Sequence, residues 1–385
     1  MPEPESSAAS QAPLRVLAIF GTRPEAVKMA PVVRRLQSTP GVAAKVCVTA
    51  QHREMLDQVL DLFEIQPDFD LDLMQPDQAL AALSAAVFSR LDPVVAEVRP
   101  DWVLVQGDTT TVMAASLLAY FHHARVGHVE AGLRTGDKWQ PFPEEINRRV
   151  AGVVADLHFA PTSWARDNLL REGVPPEHIE VTGNPVIDAL RSIADRPYDF
   201  ADGPLAAVPL DRRILLVTAH RRENFGAPLR EVFRALREIA RIYAGDVHIV
   251  YPVHLNPNVH GPAHEMLGGL PNVTLTDPLD YLPMVQLMKR AVLVLTDSGG
   301  LQEEAPALGT PVLVLRRVTE RPEAIEAGTA RLVGTDPARI VAETRRLLDD
   351  PAAHAAMARA VNPYGDGHAA ERIVAALLRQ PRRGS

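Results

Sequence analysis

Cysteine is nearly missing from this chain: Cys47 is the one cysteine in 385 residues, which excludes a disulfide within it. It lies in the apolar run 45–49 and reads as a small core residue. No run of 18 apolar residues occurs, which argues against a membrane-spanning helix. A hydrophobic signal region is lacking as well. The opening MPEPESSAASQAP is polar and proline-rich, so residues 1–13 are expected to form a disordered extension and the protein to be cytoplasmic. A basic excess is absent too, since a net charge of −8 argues against a general nucleic-acid binder, although local basic groups can still hold an anion. The dinucleotide fingerprint G-x-G-x-x-G appears nowhere. Asp68, Asp70 and Asp72 invite a metal site, but their period of two more simply sets them on one solvated face of an edge strand.

What is present is a repeated alternation of strand and helix. At 385 residues the chain is too long for one hydrophobic core, and its 46% hydrophobic content suits a compact soluble protein of two domains. Strands are predicted at 14–20, 46–49, 69–73, 102–106, 126–129, 158–160 and 179–182, with helices between them, which completes one doubly wound domain. The Pro, Gly and Asp-rich segment RPYDFADGPLAAVPLD is the best linker, and the boundary is expected near residue 190. The pattern then restarts, with strands predicted at 214–218, 247–253, 273–276, 292–296, 311–315 and 331–333. A final helix at 368–379 follows NPYGDG. Domains of 14–190 and 191–362 are expected, with 363–385 returning to the first.

The most telling stretch is 102–149: a buried strand, a turn, a crossover helix, a second strand, and a polar loop that opens another helix. Asp108 and Glu130 stand at the carboxyl ends of two parallel strands, where open α/β sheets bind ligands. Glu144 or Glu145 opens the helix after Pro143. Three carboxylates at one rim are costly unless a ligand, a cation or a shared proton relieves them. A helix cap is the alternative reading of Asp108, and acids after Pro143 are favoured by the helix dipole, but capping does not explain Glu130.

Other strand ends carry anion chemistry. The first strand runs into Gly21, Thr22, Arg23 and Pro24, and Arg23 and Lys28 bracket a helix start that offers backbone N–H groups to an anion. In the second domain, Ser298, Gly299 and Gly300 offer a hydroxyl and backbone donors to a diphosphate, Glu304 could accept from ribose hydroxyls, and His220 stands at another strand end. Met284, Leu287 and Met288 read as helix core, with Met284 the exception nearest the helix start. Two such domains with strand ends facing one another would form a cleft, in which a diphosphate held by the second aims its attached sugar at the carboxylates of the first.

FGTRPEAVKMAP, TAQHREMLDQVL, GDTTT, HVEAGLRTGD, PEEINR, TAHRREN, YPVHLNPNV, LTDSGGLQEEAP, ERPEA and NPYGDG together resemble the non-hydrolysing UDP-N-acetylglucosamine 2-epimerases, from about Leu14 to the final helix. The resemblance implies two Rossmann-like domains of the glycosyltransferase-B type, usually a homodimer. It implies interconversion of UDP-GlcNAc and UDP-ManNAc through a 2-acetamidoglucal, for cell-surface polysaccharide synthesis, with no cofactor and no metal. Carried over by position, it implies catalytic roles for Asp108, Glu130, Glu144 and His220. It also implies nucleotide-sugar contacts for Arg23, Lys28, Leu279, Met284, Ser298, Gly299, Gly300, Glu304 and Arg321. A second, activating UDP-GlcNAc site is implied at Gln51, His52, Gln75, Arg221 and His254. Three other readings stay open: a glycosyltransferase on the same fold, a hydrolysing epimerase that releases free ManNAc, and a nucleotide-sugar-binding module without turnover.

Overall fold

The computed structural model describes residues 12–49, 53–73 and 78–381. Residues 1–11 of the expected extension, together with Gln51, His52 and Gln75, lie outside the described residues. The described chain divides into two compact units, one running to Pro185 and resuming at His368, the other spanning Val186–Gly367.

The first unit is built on a seven-stranded parallel sheet of β1 (Leu14–Phe20), β2 (Val42–Val48), β3 (Phe69–Asp70), β4 (Trp102–Gln106), β5 (Arg125–Val129), β6 (Leu157–Ala160) and β7 (Ile179–Val181), in the order β3-β2-β1-β4-β5-β6-β7. Its helices are α1 (Arg23–Gln37), α2 (Arg53–Leu62), α3 (Leu80–Val98), α4 (Thr110–Phe121), α5 (Glu144–Val154), α6 (Ser163–Arg171) and the start of α7 (Pro185–Ala194). A strand covered by helices on both faces must be apolar throughout, and every residue of β4, WVLVQ, is buried. Gly127 of β5 is tight against its neighbours: a Cβ there would stand 2.5 Å from Leu104 Cδ2 and 3.1 Å from Phe159 Cε2.

β3 is shorter than the strand predicted at 69–73. Asp72 takes a left-handed φ of 45°, which breaks the extended run. The three aspartates are used by the chain itself: Asp68 accepts from the Val46 N–H at 2.8 Å, and Arg53 reaches both Asp70 and Asp72. Among the described residues, no group of three His, Cys, Asp or Glu side chains could hold a metal ion, and no helix is long and apolar enough to cross a membrane.

The second unit holds a six-stranded parallel sheet of β8 (Arg213–Thr218), β9 (Val247–Pro252), β10 (Val273–Thr276), β11 (Ala291–Thr296), β12 (Val312–Val314) and β13 (Ala330–Leu332), in the order β10-β9-β8-β11-β12-β13. It is layered by α8 (Ala227–Ile242), α9 (Pro257–Leu267), α10 (Tyr281–Arg290), α11 (Gly299–Ala307), α12 (Pro322–Glu326), α13 (Pro337–Asp349) and α14 (Pro351–Ala358). In α8 the buried residues Leu229, Val232, Phe233, Leu236, Ile239 and Ala240 repeat at three- and four-residue spacing, so one stripe of the helix meets the core. The last helix, α15 (Ala369–Arg379), belongs to the first unit. It packs on α1, and Arg372 Nη1 donates to the Thr182 carbonyl at 3.1 Å.

Candidate functional site

Each sheet reverses its winding once. In the first unit β1 has β2 on one side and β4 on the other, and in the second β8 lies between β9 and β11. Open parallel sheets hold ligands at such switch points, outside the carboxyl ends of the strands. The turns after β1 and β4, and those after β8 and β11, carry most of the residues singled out in the sequence.

After β1, Thr22 caps α1 and Glu25 completes a reciprocal capping box. Glu25 is buried, and its carboxylate accepts from the Gly21 N–H at 2.9 Å, the Thr22 N–H at 2.7 Å, and the Thr22 and Thr109 hydroxyls, each at 2.8 Å. Burial raises its pKa, and those donors oppose the rise. The chain's own carboxylate thus takes the N–H groups of Gly21 and Thr22, which lie just before the helix start where an anion site is expected. Glu25 also fastens the β1 turn to Thr109, the residue after Asp108.

Glu130 follows β5 in the left-handed region, with φ of 62°. A bulky residue holds that conformation only where its surroundings demand it. Lys28 Nζ lies 2.6 Å from Oε1, Asn184 Nδ2 donates to the same oxygen at 2.9 Å, and the Gln106 amide donates to Oε2. Lys28 is thus the cation that relieves Glu130. Asp108 has its own partner, the Arg148 guanidinium on α5. It is not the cap of α4, which is Thr109, accepting from the Val112 N–H at 3.3 Å.

At the start of α5 the two glutamates separate by environment. Glu145 is fully buried and accepts from the N–H groups of Thr135 at 3.2 Å and Gly136 at 3.3 Å, so it ties the loop to the helix. Glu144 keeps Oε2 buried with no protein hydrogen-bond partner. The same helix thus carries Arg148, which holds Asp108, and Glu144, whose buried oxygen no protein group bonds.

Two histidines beneath these turns titrate far from their ordinary range. His128 and His158 face one another in register on β5 and β6, and burial pushes their pKa values down to about 4 and about 3. Both folded values lie below the unfolded one near ~6.5, so the unfolded chain binds protons that the folded chain refuses. Stability is then fully present above about pH 6.5 and is lost as pH falls toward the folded values. Urea unfolding of the first unit is expected to lose roughly 3 kcal/mol between about pH 7 and 5.5, and His158→Asn to remove about half of that dependence. An unchanged slope in the variant would contradict it.

In the second unit Asp297 is the hub. It is fully buried, and its carboxylate accepts from the His220 N–H at 2.9 Å, the Arg221 N–H at 2.9 Å and Asn224 Nδ2 at 3.1 Å. The His220 ring lies above it, with Nδ1 3.7 Å from Oδ1, and stacks on His254 at 5.4 Å. Burial lowers the His220 pKa, Asp297 opposes the shift, and Arg221 and His254 add to it. The shift favours the neutral imidazole, which carries one N–H.

Ser298 occupies the N-cap position of α11 without a side-chain cap bond, and Gly299 is closely approached: a Cβ there would meet Glu320 Oε1 at 3.1 Å and Arg321 Cζ at 3.6 Å. Arg321 is held by Glu303 at 2.5 Å and lies near Glu320. Burial alone would raise the Glu320 pKa, but Arg321, Arg316 and Arg221 pull it down to about 2. A helix start with small residues, a hydroxyl and a braced arginine suits an anion. Glu304 accepts from the Tyr281 hydroxyl at 2.8 Å, which joins α11 to the start of α10. Leu279 is buried just before α10. Met284 in its first turn is half-buried, whereas Leu287 and Met288 are fully buried.

The first unit therefore brings Lys28 to Glu130 and Arg148 to Asp108 at the ends of neighbouring strands, with Glu144 opening the helix that carries Arg148 and Arg23 as the first residue of α1. The second gathers His220, Arg221, His254, Ser298, Gly299, Gly300, Glu304 and Arg321 around its switch point. Sequence reasoning missed Glu25, Gln106, Arg148, Asn184, Asp297 and Glu303. Two of these had signals: the Thr-x-x-Glu spacing of Thr22 and Glu25 is a capping box, and Asp297 directly follows a buried strand.

The profile of the family described as UDP-N-acetylglucosamine 2-epimerase matches residues 34–378. UDP-N-acetylglucosamine 2-epimerase of Escherichia coli strain K12 is 56% identical over 370 residues, covering 94% of this chain and 98% of the relative. The crystal structure of UDP-GlcNAc 2-epimerase from Neisseria meningitidis bound to UDP-GlcNAc is 46% identical, with a TM-score of 0.87 over 95% of this chain and all of that one. The kitacinnamycin glycotransferase, 13% identical with a TM-score of 0.63 over 95% of this chain and 98% of that one, shares the fold alone. The architecture is that of two Rossmann-like units of the glycosyltransferase-B type. Because the profile takes in most of the sequence and more than half the residues agree with a relative along nearly its full length, the chain belongs to the UDP-N-acetylglucosamine 2-epimerase family.

Proposed function

We propose that this chain interconverts UDP-N-acetylglucosamine and UDP-N-acetylmannosamine by elimination and re-addition of UDP. A base takes the C2 proton, the C1–C2 double bond forms as the C1–O bond breaks, and UDP leaves with that electron pair. The 2-acetamidoglucal remains. UDP then adds back at C1 as a proton reaches C2 on the opposite face. The observation that carries this reading is the pair of acidic side chains just past the carboxyl ends of the neighbouring strands β4 and β5, with a third opening α5, the helix whose Arg148 holds Asp108. Asp108 and Glu130 are braced by Arg148 and Lys28, and Glu144 keeps a buried oxygen that no protein group bonds. Such groups suit successive proton transfers at carbon. In the second unit, Ser298, Gly299, Gly300 and Arg321 would hold the diphosphate, with Glu304, Leu279 and Met284 toward the nucleoside, and Arg23 is a further candidate for a nucleotide-sugar contact. The neutral His220 would donate to the departing phosphate.

The test is incubation with UDP-GlcNAc in deuterated water, followed by proton NMR. UDP-ManNAc carrying deuterium at C2 is the expected product. Free ManNAc would make the enzyme hydrolytic, and unexchanged UDP-GlcNAc would return the transferase and binding-module readings.

A homodimer in the cytoplasm, supplying ManNAc units to surface polysaccharides, accompanies this reading. Tyr120 and Phe121 at the end of α4, and Val153 on the adjoining α5, are 65%, 60% and 87% exposed, apolar surface that a second copy would cover. A sedimentation mass equal to one chain would contradict the dimer. Activation by UDP-GlcNAc is the reading for Arg221 and His254, both beside His220. Hyperbolic epimerisation of pure UDP-ManNAc, unstimulated by added UDP-GlcNAc, would rule it out.

A further inference from the structure

The peptide that leads into Asp108 is gripped from both ends of one residue. The Gly107 N–H donates to the Val129 carbonyl at 3.0 Å, which carries the β4–β5 ladder one step past the strand. The Gly107 carbonyl accepts from His128 Nε2 at 2.7 Å. Gly107 itself has φ of 81°, a conformation that side-chain-bearing residues rarely hold, so the turn is specified by backbone and not by packing of its own side chain. Glu130 comes close here as well: a Cβ on Gly107 would stand 3.7 Å from Glu130 Oε2. One imidazole therefore reaches, from two residues before Glu130, to the carbonyl one residue before Asp108.

His128 is an expensive choice for that place. It is 1% exposed on a central strand, opposite Val105 on β4, where an apolar residue would fill the space. Its Nδ1 is buried with no protein hydrogen-bond partner, which costs stability for a buried polar atom. The ladder bond from the Gly107 N–H already continues the sheet, so the histidine is not required to hold the strands together. What it adds is the orientation of the Gly107–Asp108 peptide plane.

We propose that His128 is a positioning residue for the epimerisation: its Nε2–H holds the Gly107 carbonyl and thereby sets the Asp108 carboxylate in register with Glu130. The inference rests on the reading of Asp108 and Glu130 as proton-transfer groups. It predicts that losing the bond lets the turn shift while the carboxylates keep their own partners, Arg148 and Lys28. Misplacement by about 1 Å costs a reaction up to ~100-fold, so the expected loss lies in kcat and not in substrate binding.

The test compares His128→Phe, His128→Gln and His128→Asn with the unsubstituted enzyme. Phe fills the space without a donor, Gln carries an amide N–H to about the place of Nε2, and Asn is too short to reach it. The expected result is a fall in kcat of about 10- to 100-fold for Phe and Asn, with KM for UDP-GlcNAc within about twofold, and recovery of most of the rate in Gln. If Phe does not fold, the Gln and Asn pair decides alone. Equal kcat in Gln and Asn would overturn the proposal, as would losses of kcat that follow thermal stability across the series. An unsubstituted enzyme that exchanges no C2 proton would instead overturn the underlying reading of Asp108 and Glu130, which the comparison with the unsubstituted chain keeps separate.

Discussion

Replacing Glu130 by Gln is expected to lower kcat for epimerisation by about 10³-fold, near the middle of the span for removing a proton-transfer group. The side chain keeps its length and shape, and the left-handed backbone at φ of 62° is already imposed by the turn. What changes is charge. Lys28, 2.6 Å away and only 15% exposed, loses its counter-ion, and a stranded cation of this kind costs about 3 kcal/mol. Stability and activity are therefore both expected to fall in the single variant, and a second substitution separates them. Lys28→Met in the same chain removes the stranded charge, so it should return most of the thermal stability while leaving turnover near the level of Glu130→Gln. Recovery of turnover together with stability would mean that Glu130 serves the fold and not the reaction.

The second large effect is expected at Asp297. Its carboxylate gathers the N–H groups of His220 and Arg221 and the amide of Asn224 at zero exposure. Asp297→Ala takes the acceptor from the N–H groups of His220 and Arg221, while Asn224 Nδ2 keeps the Leu315 carbonyl at 3.1 Å; at about 1–3 kcal/mol for each donor left unpaired, a loss of roughly 4 kcal/mol is expected. For a domain of this size that corresponds to a fall in Tm of about 8–16 °C. The same change removes the negative charge that supports the His220 proton, so the His220 pKa is expected to fall further than burial alone takes it. A calorimetric scan and an NMR titration of His220 check the two halves. A Tm within about 2 °C of the parent protein would show that Asp297 is not the hub of this turn.

Much of this arrangement was legible in the sequence, for local reasons. β1 runs over Leu14–Phe20, as the apolar run LRVLAIF predicts, and β4 and β5 with Asp108 and Glu130 at their ends follow from strand, helix and strand in close succession. Doubly wound topology then puts those ends at a switch point without further information. The reading of Asp68, Asp70 and Asp72 as one face of an edge strand holds for Asp70, which lies on the edge strand β3 and meets Arg53, whereas Asp68 and Asp72 lie just outside it and meet Val46 and Arg53.

Partners distant in sequence were not legible. Lys28 was read with Arg23 as one of two cations beside an anion, whereas its bond is to Glu130, 102 residues away. Arg148 meets Asp108 across 40 residues, and Asn184 meets Glu130 across 54. Periodicity describes one element's face, and it carries no record of which face another element will bring to it. Glu25 is the instructive exception. Its capping-box spacing was present in the sequence, and it points to the N–H groups of Thr22 and Glu25 being satisfied from within.

The most direct measurement of the account is a positional isotope exchange. UDP-GlcNAc labelled with ¹⁸O in the bond from C1 to the β-phosphate is incubated with the enzyme, and the label is followed by phosphorus NMR alongside incorporation of solvent deuterium at C2. Elimination frees the β-phosphate oxygens to rotate before UDP returns. The account therefore predicts that ¹⁸O migrates to non-bridging positions at a rate comparable to epimerisation, with deuterium at C2 of the product. Epimerisation with deuterium at C2 but with every ¹⁸O still in the bridge would contradict it, because inversion would then proceed without breaking the C1–O bond.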